Sequence, residues 1–192
     1  MSRTDPIRDK NDIQRLKNHF LKKGELRNYA MVTLALNTSL RIGDLLQLKW
    51  EDVYNFRNNQ YKAHIAIQEQ KTHKQTMIPL NPEAKDSLNL LRDYTENLCP
   101  ELCIFKSRIG KNRPINRSRA FNIIKQAANE LGIEGNISCH SLRKTFGYQA
   151  WKKGVPPALI MSIYNHSSLE ITKRYLSIDQ DDKDEVFLNM NL

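Results

Sequence analysis

The spacing of apolar residues changes along this 192-residue chain, and the change limits the folds it can adopt. Across residues 11–48, apolar side chains such as Leu16 and Phe20 recur at helical spacing. Across residues 53–79 they alternate with polar residues, as strands require. Helical spacing then returns in the C-terminal half. The pattern predicts a mixed α+β fold, mainly α-helical, with a small three-stranded antiparallel sheet.

Capping signals divide the helical regions into separate segments. The segment at residues 26–36 is apolar almost all round, which indicates a buried central helix. The other predicted helices cover residues 11–23, 42–48 and 120–131. Further helices start at Pro82 after an Asn81 cap, run from Ser138 to a stop at Gly154, open at Pro156-Pro157 and continue through Ile163, and carry Tyr175 after a Ser167 or Ser168 cap.

Within the predicted sheet, residues 68–74 form the tight connection of the second hairpin. Lys71 then lies at or beside a hairpin tip, where its amine can reach a ligand. Lys74 is its nearest competitor for that role. Lysines in such turns are commonly just solvated.

Length and composition favour one well-buried domain, residues 1–192, with little room for a second. No apolar run approaches the roughly 20 residues of a membrane span, and the polar N-terminus is unlike a signal peptide. We therefore expect a cytoplasmic protein without a membrane partner. The net charge of +9 predicts a polyanionic partner without specifying a reaction.

The three cysteines are sparse and odd in number, as expected in a reducing compartment without a disulfide framework. Cys99 and Cys103 lack a second Cys/His pair at zinc-site spacing. Cys139 could be a thiol nucleophile, but a small buried helix residue is the simpler interpretation.

Two stretches near the C-terminus carry the residues best suited to chemistry, CHSLRKTF and YNHSSLEITKRYLSI. His140 and Arg143 are three apart, so one helix face presents both, near a helix start that Ser138 would cap. Imidazole, guanidinium and free N–H groups at a helix N-terminus suit a phosphate. His166 and Tyr175 follow in the second stretch. Any one such pair alone is usually a surface feature.

Taken in order, these residues resemble the catalytic domain of the tyrosine recombinase (phage integrase) family. The family signature runs Arg…Lys…His-x-x-Arg…His/Trp…Tyr. Its positions fall on Arg41, Lys71, His140, Arg143, His166 and Tyr175, and the resemblance extends from about residue 5 to the C-terminus. Arg41 could also be a structural arginine buried against Asp44 or Glu51, which is compatible with a role in the site.

The resemblance implies a site-specific DNA recombinase or integrase, encoded by a bacterium, phage or mobile element. Tyr175 would attack a DNA phosphodiester to give a 3′-phosphotyrosine intermediate. Arg41, Arg143 and His166 would stabilise the transition state, Lys71 would protonate the leaving oxygen, and His140 would assist proton movement. Rejoining would need neither ATP nor metal, so no cofactor is expected. Double-stranded DNA is the implied partner, with a homo-tetramer on DNA and a monomer possible when free.

Three features depart from the usual family pattern. Tyr164 and Asn165 replace Leu-Gly before the second histidine, and Asp44 replaces a common glutamate. The usual N-terminal core-binding domain is also absent from this sequence. We therefore expect either a catalytic fragment or a catalytic-domain-only type.

A basic segment between Phe105 and Arg119 is predicted to contact the DNA backbone. Together with the hairpin, it supplies the proposed DNA-binding residues Lys74, Lys106, Arg108, Lys111, Arg113, Arg117 and Arg119. The acidic-then-apolar tail from Asp179 is expected to dock on its own body or on a neighbouring copy.

Two alternative functions remain open. A type IB topoisomerase-like relaxer would use the same covalent chemistry without strand exchange. A non-catalytic DNA-binding protein could keep the fold, although such a protein does not need the nucleophile Tyr175.

Overall fold

The structure is a computed structural model that describes residues 4–178 and 187–190. Helices are separated by one short β region. In chain order the elements are α1 (Lys10–Lys22), α2 (Leu26–Thr38), α3 (Ile42–Leu46), α4 (Trp50–Val53), β1 (Tyr54–Asn55), β2 (Gln60–Tyr61), β3 (His64–Gln68), β4 (Gln75–Pro79), α5 (Pro82–Asp93), α6 (Arg117–Glu130), α7 (Cys139–Lys152), α8 (Pro157–Tyr164) and α9 (Leu169–Leu176). The predicted mixed, mainly helical class is confirmed.

Side-chain caps fix where several helices begin. Asn81 accepts from the Ala84 amide at 2.9 Å, directly before Pro82 at the start of α5. Ser168 accepts from the Ile171 amide at 3.2 Å and starts α9. Each cap satisfies an amide that has no partner inside its helix. Both caps were expected from the sequence.

The core is built around α2, as its apolar sequence predicts. Nine of its 13 residues are buried, including Met31, Val32 and Leu34 at 0% exposure. It packs against α1, α5 and α7. Because neighbours cover it on several sides, its C-terminal end is a fixed point from which the following turn starts.

The β region differs from the predicted three-stranded sheet. Two antiparallel two-stranded sheets form instead, β1 with β2 and β3 with β4. Between β2 and β3, the Lys62 amide still donates to the Val53 carbonyl at 2.8 Å, whereas the Ala63 carbonyl accepts from Leu80 at 3.0 Å. The chain changes partner at this point, so no central strand pairs on both edges over its length.

The predicted connection at residues 68–74 is confirmed in position, since Gln68 pairs with Gln75 at the end of the β3–β4 hairpin. Among the described residues, no helix is both long and apolar enough to cross a membrane. Of the predicted tail, residues 179–186 and 191–192 lie outside the described residues. Residues 187–190 are exposed.

Helices α7, α8 and α9 pack around a small second cluster containing Ile160, Tyr164 and Leu176. Gly147 of α7 makes their close approach possible. A Cβ at this position would lie 2.6 Å from both the Tyr164 hydroxyl and a Leu176 methyl. These atoms are buried on all sides, so the glycine is required by packing and not by backbone conformation.

We predict that Gly147→Ala destabilises the fold by about 1–3 kcal/mol, because overpacking outweighs the gain in helix propensity. Urea unfolding at neutral pH measures the change. Gly43→Ala in α3 is the matched control, since the three atoms nearest to the added Cβ there belong to the flexible end of Arg117. Equal stability of the wild type and Gly147→Ala would contradict this packing account.

Candidate functional site

The N-terminus of α7 places His140 and Arg143 on one face. Ser138 and Ser141 form a capping box there, with the Ser138 amide donating to the Ser141 hydroxyl at 3.0 Å. The predicted N-cap at Ser138 is confirmed. The positive end of the helix dipole therefore lies beside both side chains.

Arg143 is buried, with 6% of its surface exposed. Its Nη1 donates to the carbonyl of Ser39, which ends α2 in a left-handed conformation with φ of 55°. Its Cζ lies 4.9 Å from the centre of the Tyr164 ring. The end of α2 and the end of α8 thus hold this guanidinium from different sides.

Arg41 begins α3 and forms an ion pair with Glu69, with 2.6 Å between Nη1 and Oε2. The Thr72 hydroxyl donates to the same carboxylate oxygen at 2.5 Å. The sequence suggested Asp44 or Glu51 as the carboxylate partner of Arg41, but the partner in the structure is Glu69. The hairpin connection folds over α3, and Asp44 instead accepts from the Gln70 amide at 3.0 Å.

Glu69 is a site residue that sequence analysis missed. The residue is 8% exposed, and its carboxylate lies near both Arg41 and Arg143. Burial acts to raise its pKa, but hydrogen bonds from Thr72 and Arg41, together with the two positive charges, lower it overall. The sequence signal that could have identified Glu69 was an acid two positions before Lys71, within the predicted connection at residues 68–74.

The two hairpin lysines face different parts of the site. Lys71 is exposed in the β3–β4 turn, and its charge is close enough to help lower the pKa of His140. Lys74 donates to the Asn165 side chain at 2.5 Å, in the turn between α8 and α9. Lys71 is therefore within electrostatic reach of His140, whereas Lys74 contacts the turn that carries His166.

Tyr175 lies between the two histidines. Its ring centre is 5.1 Å from that of His140 and 5.0 Å from that of His166, both edge to face. The His166 Nδ1 is 3.1 Å from the Thr172 hydroxyl, so Nε2 is the ring nitrogen available to a ligand. Helices α7 and α9 therefore bring together residues that are 35 positions apart in sequence.

The Tyr175 hydroxyl is buried and has no hydrogen-bond partner among the described residues. Burial raises its pKa above the usual value, while the nearby Arg143 and Arg41 act in the opposite direction. Arg143 is close enough to affect the Tyr175 hydroxyl electrostatically, although the two side chains are not hydrogen bonded. The phenol is thus protonated and ready to receive a polar partner.

Both histidines are held neutral. Burial of its ring, and then the charges of Lys144, Arg143, Arg41 and Lys71, lower the pKa of His140 to about 4, although the residue as a whole is exposed to solvent. Burial, Arg143 and Arg41 lower the pKa of His166 as well. A neutral imidazole can accept a proton, which a charged one cannot.

The basic segment extends the positive surface. Arg117 at the start of α6 donates to the Gln70 side chain at 3.0 Å, so it adjoins the hairpin. Arg27, which sequence analysis missed, donates to the Lys106 carbonyl at 2.8 Å. Burial, and then the charges of Arg108 and Arg119, lower the pKa of Arg27. The predicted DNA-binding residues Lys106, Arg108, Lys111, Arg113, Arg117 and Arg119 are all exposed.

Cys139 is a poor nucleophile, because burial raises the pKa of its thiol to about 12. Within residues 4–178 and 187–190, no group of three or more His, Cys, Asp or Glu side chains is placed to hold a metal ion.

The fold defines the class of protein. It superimposes on the crystal structure of XerA recombinase with a TM-score of 0.75 at 21% identity, covering 100% of this chain and 68% of that one. XerH site-specific recombinase bound to palindromic difH substrate, in a post-cleavage complex, gives 0.71 at 18% identity, covering 97% and 53%. The fold is that of a tyrosine recombinase catalytic domain.

The sequence defines the family. The phage integrase family model matches residues 8–181. Probable integrase/recombinase YoeC of Bacillus subtilis (strain 168) is 36% identical over 176 residues, covering 92% of this chain and 91% of that protein. The chain therefore belongs to the phage integrase family, whose members are tyrosine recombinases that cleave and rejoin DNA. It spans about half the length of other curated relatives that it matches.

We predict that His140 titrates below pH 6.5 in the folded protein and that its protonation opposes folding. Between pH 6.5 and pH 4 the unfolded chain binds this proton and the folded chain does not, so stability falls as pH falls. His140→Gln should make the pH dependence of urea unfolding shallower by up to about one proton. An NMR titration midpoint for His140 at or above 6.5 would contradict the prediction.

Proposed function

We propose that the chain is a site-specific DNA recombinase in which Tyr175 attacks a DNA phosphodiester. The observation that carries the proposal is the placement of the Tyr175 ring between two neutral histidines, with its buried hydroxyl close to Arg143. A phenol with no partner of its own, next to cationic donors, suits an incoming phosphate. Family membership supports the same reaction.

In the proposed transition state, charge gathers on the non-bridging phosphate oxygens. Arg143 and Arg41 would donate to them, and loss of one preorganised donor of this kind typically costs about 3–4 kcal/mol. Glu69 now holds Arg41 by an ion pair. A phosphate would take the place of this carboxylate as the acceptor, while His166 would add a donor through Nε2 in the tautomer whose Nδ1 accepts from the Thr172 hydroxyl.

The bond between phosphorus and the 5′ oxygen breaks as the bond to the Tyr175 oxygen forms. His140 accepts the phenolic proton, and its depressed pKa keeps it in the accepting form at neutral pH. Lys71 is proposed to give a proton to the leaving 5′ oxygen. The product is a 3′-phosphotyrosine and a free 5′ hydroxyl. The new ester preserves the phosphodiester linkage energy, so rejoining needs no ATP.

Double-stranded DNA is the proposed partner. XerH, with the same fold, was crystallised with its difH substrate. The exposed cations from Lys106 to Arg119 adjoin the hairpin through Arg117 and extend to Arg27. Such a surface favours contacts to the sugar–phosphate backbone. We propose that residues 1–192 act as one catalytic domain and assemble as a tetramer on DNA.

We predict that Tyr175→Phe abolishes the covalent protein–DNA adduct and leaves salt-sensitive DNA binding intact, because only the nucleophilic oxygen is removed. Nicked suicide duplexes with a randomised core would trap the adduct of the wild type, which is scored as an SDS-resistant band. An adduct formed by Tyr175→Phe would reject Tyr175 as the nucleophile. Sequencing the trapped DNA would begin to define the target site.

We predict that Lys71→Ala slows cleavage about 10²–10⁴-fold, the usual contribution of a general acid. A duplex with sulfur in place of the bridging 5′ oxygen should restore the rate, since a thiolate leaves without a proton. Lys74→Ala is the matched control from the same hairpin. Relative to the wild type, the cleavage rate of Lys74→Ala should change by the same factor on the oxygen and the sulfur substrates. Sulfur rescue of Lys74→Ala and not of Lys71→Ala would transfer the role to Lys74.

A further inference from the structure

Tyr164 lies at the centre of the site without belonging to the recognised set of site residues. It is the last residue of α8 and is 2% exposed. Its ring centre is 5.4 Å from that of His166, nearly parallel at 22°, and 5.0 Å from that of Tyr175. The Arg143 Cζ lies 4.9 Å from the same centre. One ring therefore contacts three of the proposed catalytic side chains.

The Tyr164 hydroxyl anchors that ring to α7. It donates to the main-chain carbonyl of Arg143 at 2.6 Å. Burial raises the pKa of this phenol, so the hydroxyl stays protonated and acts as a donor. It is thereby unsuited to replace Tyr175 as a nucleophile.

Helix α7 leaves a space for this side chain. At Gly147, an added Cβ would lie 2.6 Å from both the Tyr164 hydroxyl and its Cε2. The ring is thus enclosed between α7 and the turn that carries His166. Enclosure of this kind fixes the ring orientation, so that its face is presented to Arg143 and His166.

Each contact limits the motion of a different partner. The negative ring face attracts the Arg143 guanidinium, while the Ser39 carbonyl holds its Nη1. Stacking fixes the plane of His166, whose Nδ1 is already held by Thr172. The tilted contact with Tyr175 limits rotation of the nucleophile's ring. An aliphatic side chain, such as the leucine usual in the family at this position, could fill the volume but would offer no ring face. The ring contacts therefore accompany this chain's departure from the family pattern.

We propose that Tyr164 is a positioning residue that sets the mutual geometry of Arg143, His166 and Tyr175 through its aromatic ring. The inference rests on the proposed function, because the geometry matters for attack on phosphate. The positioning effect is assigned mainly to the aromatic ring of Tyr164 and only secondarily to its hydroxyl. Small displacements of reacting groups can reduce rates by about 10²-fold, so loss of the ring should be visible in the cleavage step.

The test compares Tyr164→Phe, which keeps the ring, with Tyr164→Leu, which removes it. Single-turnover cleavage of the suicide duplex gives the rate, and titration of uncleaved duplex gives the affinity. We expect Tyr164→Phe to cleave within a few-fold of the wild type and Tyr164→Leu to be about 10–100-fold slower with little change in affinity. Tyr164→Met replaces the leucine variant if thermal unfolding shows that the latter does not fold.

Cleavage by Tyr164→Leu at the wild-type rate would overturn the proposal. Equal reductions of the cleavage rate in Tyr164→Phe and Tyr164→Leu would also overturn it. A second readout does not depend on catalysis. NMR titration of free protein should show the pKa of His166 rising in Tyr164→Leu, because the stacked ring no longer excludes water. If the wild type forms no adduct, the proposed function fails, and an unchanged His166 titration in Tyr164→Leu then rejects the positioning role as well.

Discussion

The arrangement of the site depends on the burial of the Arg143 guanidinium where α2, α7 and α8 meet. A buried cation is costly unless its donors and its charge are compensated. Here the Ser39 carbonyl accepts a hydrogen bond, and the Tyr164 ring covers one side. Both partners come from helix ends, whose positions are set by the core. The packing of α2 therefore determines where the Arg143 guanidinium lies.

The same neighbourhood carries an excess of positive charge. Arg41 and Arg143 share one nearby carboxylate, Glu69, and Lys71 adds a further charge at the hairpin. The structure limits the resulting repulsion by keeping His140 and His166 neutral. An entering phosphate would relieve this imbalance, since it supplies negative charge where the free site has too little.

Periodicity and capping signals predicted most of the helices, including the buried α2 and the Ser138 and Ser168 caps. These features depend on neighbours a few residues apart, so a sequence displays them directly. Contacts across long separations were not predictable in this way. The partner of Arg41 is 28 positions distant, and the Ser39–Arg143 bond spans 104. The prediction of a three-stranded sheet was wrong for the same reason, because alternation of apolar and polar residues identifies a strand but not the strand it pairs with.

The motif order located the residues that converge around Tyr175, yet it could not show how they are supported. Arg143, His166 and Tyr175 are held by helix ends and by the enclosed Tyr164 ring. Arg41 and Lys71 depend instead on the β3–β4 connection, which is joined to the helices by exchangeable polar contacts such as Asp44 with Gln70. In the proposed reaction, a phosphate would therefore replace Glu69 on Arg41 while Tyr175 and Arg143 keep their places. This division would let substrate entry rearrange the Lys71 side of the site without disturbing the Tyr175 side.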